Sequence, residues 1–82
     1  MIDRDLIEAL DDELISLCES KGLTGEEIFI IGAMVDDKET IEKYGAETAT
    51  RMAIEIIKLC DNNFSMISYA VQRALGIRDF NP

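Results

Sequence analysis

The sequence predicts an all-α fold, a compact bundle of four or five helices, with residues 1–82 as a single helical domain. Three observations carry this. Apolar residues recur at three- and four-residue steps through most of the chain. Cap-forming residues stand ahead of the successive apolar segments. The run Ile28-Phe29-Ile30-Ile31 has the form of a buried strand, but no second run exists to pair with it.

The first helix is expected over Asp3 to Ser20. Ile7, Leu10, Leu14, Leu17 and Cys18 form its apolar stripe, widened by Leu6 and Ile15. Asp3 and Asp5 suit the positive end of the helix dipole, and Gly22 is its expected stop. Thr24 and Glu27 have the spacing of a capping box and open a second helix to Val35. That helix is apolar most of the way round, which predicts a central position. Asp36, with Glu39 three residues later, is the expected cap of the next helix. The spacing favours one long helix over 38–60, bent at Gly45, with Ile41, Gly45, Ala49, Met52, Ala53, Ile56, Leu59 and Cys60 on one face. Asn63 caps the last helix, whose face is Phe64, Ile67, Ala70, Val71, Ala74 and Leu75. Gly76 followed by Ile77 suggests a Schellman ending, and 78–82 a short tail.

Composition narrows the function classes. Hydrophobic residues make 48% of the chain and charged residues 30%, which is globular rather than disordered composition. A chain this short buries roughly 60–65% of its unfolded surface, enough for one core. Seventeen acids against eight bases give a net charge of −9. That argues against direct binding of nucleic acid or of an anionic membrane, since both are polyanions. The longest apolar run, 28–35, is far shorter than a membrane span, and the start Met-Ile-Asp-Arg-Asp carries no secretory signal. Cys18 and Cys60 each follow apolar residues and read as buried free thiols, so the expected location is cytoplasmic.

The charge is uneven. Residues 1–41 hold twelve acids and three bases, whereas 42–82 hold five of each, so the whole net charge lies in the first half. On the first helix Asp5, Glu8, Asp12 and Glu19 project opposite the apolar stripe, with Asp11 alongside. Asp36, Asp37 and Glu39 form a second cluster. Helical residues three or four apart stand about 5–6 Å apart at Cβ, and like charges so placed repel by a few tenths of a kcal/mol per pair. Such a row is comparable in scale to the phosphates of a nucleic-acid strand.

Catalytic signatures are sparse. With no histidine and two distant cysteines, no metal site is expected, and 36–40 lacks the spacing and the glycine of a calcium loop. Glu39 and Glu42 form an E-x-x-E pair that resembles the all-α nucleotide pyrophosphohydrolases, but Glu55 is followed three later by Lys58 where that family has an acid. Gly45-Ala46-Glu47-Thr48 resembles the acceptor site of acyl carrier proteins, with Thr48 in place of the serine that carries the cofactor. No P-loop, G-x-S-x-G or dinucleotide fingerprint is present. The segment Ser65 to Leu75 offers Gln72 and Arg73 to DNA, without a phosphate grip around them. Met34, Met52 and Met66 read as core fillers.

The expectation is therefore a non-enzymatic binding protein without a cofactor. Its most concrete form is an inhibitor that docks Asp5, Glu8, Asp11, Asp12, Glu19, Asp36, Asp37 and Glu39 on a basic, nucleic-acid-binding partner protein, as a nucleic-acid mimic. In size and charge the chain is similar to small acidic phage-type inhibitors, including anti-CRISPR proteins. The alternative is a helical homo-oligomeric regulatory or accessory subunit, a homodimer for example. Its interface would be the row of small residues Gly45, Ala49 and Ala53.

Overall fold

The computed structural model describes residues 3–77; the tail expected over 78–82 lies outside them. Five helices make up these residues: α1 (Arg4–Ser20), α2 (Gly25–Val35), α3 (Lys38–Tyr44), α4 (Ala46–Lys58) and α5 (Phe64–Leu75). The all-α bundle expected from the periodicity is what forms.

Local chemistry explains most boundaries. Asp3 caps α1, its Oδ1 accepting the Leu6 N–H at 3.1 Å. The Thr24–Glu27 capping box is complete: Thr24 Oγ1 accepts the Glu27 N–H at 3.2 Å, and Glu27 Oε1 accepts the Thr24 N–H at 2.8 Å. Asn63 Oδ1 accepts the Met66 N–H at 3.0 Å and starts α5. At the other end of α5, Gly76 is left-handed at φ 73. The Ile77 N–H donates to Gln72 O at 2.9 Å and the Gly76 N–H to Arg73 O at 3.3 Å, the Schellman pair.

The expected long helix over 38–60 is two helices. Gly45 has φ 84 and ψ 158, a backbone region that an L side chain enters only under strain. Its N–H closes α3 on Ile41 O at 2.8 Å and its carbonyl opens α4 by accepting the Ala49 N–H at 3.0 Å. Of the face expected from sequence, Ala49 and Ala53 are fully buried, while Ile54 and Ile57 join it from outside the expected set. The buried face of α4 is Ala49, Thr50, Ala53, Ile54 and Ile57, with Met52 and Ile56 half-buried at its edge. Leu59, placed on the face from sequence, is the C-cap of α4 and is 83% exposed. The cap of α3 also moves by one. Asp36 is taken up in closing α2, its N–H donating to Gly32 O at 2.9 Å, so Asp37 caps α3 through the Glu39 N–H at 3.2 Å.

The central helix is α4, not α2. It touches each of the other four, and Ala49 and Ala53 at its surface are fully buried. Small side chains there let the neighbouring helices approach closely. The core around it joins Leu10, Leu14 and Cys18 of α1, Ile31, Met34 and Val35 of α2, and Ile67, Val71 and Leu75 of α5. By contrast, α2 buries one stripe only, and its Phe29 is 77% exposed. Of the three methionines among the described residues, Met34 is fully inside, Met52 is half-buried and Met66 is exposed. Lys21 ties α1 to the end of α4, its Nζ donating to Cys60 O at 2.7 Å, a cation at the negative end of that helix.

Candidate protein-docking face

The carboxylates expected to bind a partner fall into three situations. Asp5, Glu8, Asp12 and Glu19 are exposed along α1. At 1.5 Å per residue, the row from Asp5 to Glu19 runs about 21 Å. Asp11 is also exposed, and it brings the two sequence clusters together. Partial burial, then the neighbouring charges of Asp36, Asp12 and Glu8, raise its carboxyl above the usual 3.8. Thus Asp36, twenty-five positions away in the chain, is an electrostatic neighbour of Asp11. Asp37 is half-buried and engaged in capping α3, and Glu39 is exposed on α3.

Among the described residues none of these acids is in an ion pair. Among the described residues the two ion pairs are Arg51–Glu47 at 3.2 Å and Lys58–Glu55 at 3.4 Å, both on α4. Lys21, one of only three bases in the first half, is turned to the Cys60 carbonyl. The repulsion along α1 and toward Asp36 is therefore left standing.

Beside this face lies an open groove of about 490 Å³ between α1 and α2. Asp11, Leu14 and Ile15 line it from α1. Gly25, Ile28, Phe29, Gly32, Ala33 and Asp36 line it from α2 and its end. The α2 set is a second helical stripe at i, i+3, i+4, i+7, i+8 and i+11, opposite the stripe buried in the core. The α1 side is shared with the acidic face, where Ile15 is 43% exposed. Sequence reasoning missed Ile15, Phe29 and Gly32 as a site. The signal was present in the spacing 25-28-29-32-33-36, but an apolar residue on a helix is read as core until packing assigns it elsewhere.

The chain matches no protein-family model, curated protein or solved structure.

Other candidate positions come to little chemically. Among the described residues, no group of three or more acidic, cysteine or histidine side chains is placed to hold a metal ion, and no helix is long and apolar enough to cross a membrane. Thr48 is exposed on α4. Of the Gly45, Ala49 and Ala53 row, Ala49 and Ala53 are covered within the chain and Gly45 is half-buried. The row packs α4 against its own neighbours rather than presenting a face to a second copy. Cys18 is buried, and that burial pushes its thiol up; Cys60 is half-buried, its Sγ 3.3 Å from Ile56 O. A raised thiol pKa disfavours the reactive thiolate.

Proposed function

We propose that this protein is a non-catalytic binding protein of the cytoplasm that docks the acidic face of α1, with Asp36, on a basic nucleic-acid-binding surface of a partner protein and so competes with the polyanion. One observation supports this above the others. Carboxylates from two separate parts of the chain adjoin at Asp11 and Asp36, and none of the first-half acids has an ion pair among the described residues. A face that keeps its mutual repulsion gains the most from an opposite surface, because association relieves that repulsion and releases no internal pair. Asp5, Glu8, Asp11, Asp12 and Glu19 share one rigid helix, which keeps the row ordered before binding and lowers the entropy lost on docking.

The test compares the protein with a variant in which these five become Asn or Gln. Each is immobilised, exposed to lysate at low salt, and eluted with heparin. The captured partner is then purified and its binding to duplex DNA measured with each protein as competitor over a range of salt. The expected result is a basic nucleic-acid-binding protein displaced from DNA by the unmodified chain, with a steep salt dependence that the neutralised variant loses. Capture and salt dependence unchanged by neutralisation would sink the proposal. Circular dichroism of the variant checks that the helices persist.

A further inference from the structure

We infer that the groove between α1 and α2 seats an amphipathic helical segment of the partner, with its apolar residues over Ile15 and Phe29 and an arginine or lysine between Asp11 and Asp36. The inference deepens the docking reading and rests on it for the sign of the partner's charge.

The floor of the groove is the first argument. Gly32 sits inside α2, where glycine is the weakest helix former apart from proline. Interior helix glycines usually mark a close approach by another element. Here a Cβ at Gly32 would meet nothing within 4 Å, and the same holds for Gly25. Among the described residues no neighbour takes up the space left by the missing side chains. A bound segment approaching α2 does.

The walls supply the second argument. Leu14, Ile15, Ile28 and Phe29 make them apolar, and Phe29, 77% exposed, is the largest side chain on offer. An exposed aromatic beside small residues is the form a binding anchor takes. A groove along two helices, with its lining in steps of three and four, matches the apolar face of a third helix.

The charges choose among occupants. Asp11 and Asp36 both line this groove, and the charge of Asp36 bears on the Asp11 carboxyl. A cation between them relieves that repulsion. A second copy of this chain is disfavoured, because a two-fold contact on this face would bring two such pairs and two acidic α1 rows together. A nucleic acid is disfavoured by the same sign. An apolar segment carrying arginine or lysine satisfies both the walls and the carboxylates.

The probe is a helical peptide built on alanine, with two leucines one turn apart and an arginine one turn further on. Controls replace the leucines by serine or the arginine by glutamine. Binding is followed by fluorescence anisotropy, and the site is located by amide chemical-shift changes in the full chain. The expected result is binding with shifts at Ile15, Phe29 and Gly32. Phe29→Ser should weaken it about tenfold or more, and Asp36→Asn several-fold with a flatter salt dependence. Gly32→Leu places a side chain on the open floor and should abolish binding while raising the melting temperature, which separates blockage from misfolding.

Three results would overturn the inference. The first is no binding at millimolar protein. The second is binding whose shifts run along α1 and survive Phe29→Ser, which leaves the acidic-face reading intact and removes the groove from it. The third is a dimer by light scattering that Phe29→Ser converts to monomer, which would make a second copy the occupant. Conversely, groove binding by the peptide with no salt-dependent partner in lysate would support the groove and count against the nucleic-acid mimic.

Discussion

Two glycines, one inside α2 and one between α3 and α4, should respond to alanine in opposite directions. Gly32 lies in the interior of α2 with helical backbone, and an added Cβ meets no atom within 4 Å. Gly32→Ala therefore carries no packing penalty and gains the difference in helix propensity, about 0.8–1 kcal/mol. For a domain of this size that raises the melting temperature by about 4–8 °C. Gly45 also has open space around its Cβ position, so crowding is equally absent there. Its φ of 84 and ψ of 158 belong to glycine, however, and holding alanine in them costs of order 1–3 kcal/mol. Gly45→Ala should lower the melting temperature by at least about 4 °C. Both variants are read by thermal and urea unfolding followed by far-ultraviolet circular dichroism. A Gly32→Ala variant that is no more stable than the parent would refute the reasoning. It would mean that α1 or another element closes on Gly32, and the groove floor would not be open. A neutral Gly45→Ala would instead mean that α3 and α4 join in a continuous helix.

Three further outcomes follow from buried or crowded groups. Thr40 Oγ1 is buried with no hydrogen-bond partner among the described residues, which costs about 1–3 kcal/mol, so the near-isosteric Thr40→Val should shift the urea midpoint upward. Ala49 is fully buried on α4, and Ala49→Leu should destabilise by about 1–3 kcal/mol or more through overpacking; sedimentation should show the same molecular mass for both proteins if the small row packs only within the chain. Asp11 has a carboxyl pKa raised by partial burial and by Asp36, Asp12 and Glu8. The native state then holds that proton more tightly than the unfolded state, so its penalty stands above the folded pKa and disappears as pH falls toward the usual 3.8. Asp11→Asn should therefore be more stable than the parent at neutral pH and low salt, with the gap closing in acid and narrowing at high salt as the charges of Asp36, Asp12 and Glu8 are screened. A gap independent of pH would contradict the assigned cause.

Features that depend on a few neighbouring residues were legible in the chain. The Thr24–Glu27 box, the Asn63 cap and the Gly76–Ile77 ending each need only backbone and side-chain groups within one helical turn. The errors lie where two readings were locally equivalent. Asp36 and Asp37 are both good caps, and the choice turned on where α2 stops using backbone N–H groups. Gly45 suits either a bend or a break, because glycine tolerates both conformations. Continuing the α3 stripe through it put Leu59 on the buried face and left Ile54 and Ile57 off it.

The candidate face divides in the same way. The concentration of acids in the first half and their row on α1 are properties of spacing along one helix, and need no knowledge of the neighbours. The meeting of Asp11 with Asp36, the turning of Lys21 to the Cys60 carbonyl, and the opening of Ile15, Phe29 and Gly32 onto a groove depend on how helices distant in sequence pack. The apolar pattern of α2 runs most of the way round the helix, and Ile28 and Phe29 have the same periodic claim on the core as Ile31 and Met34. The choice went to Ile31, Met34 and Val35 because that side of α2 packs against α5 and α4, whose apolar faces share the core with it. Hydrophobic burial is non-directional, so its magnitude is written in the residues, while the surface it falls on is chosen by the fit of the whole bundle.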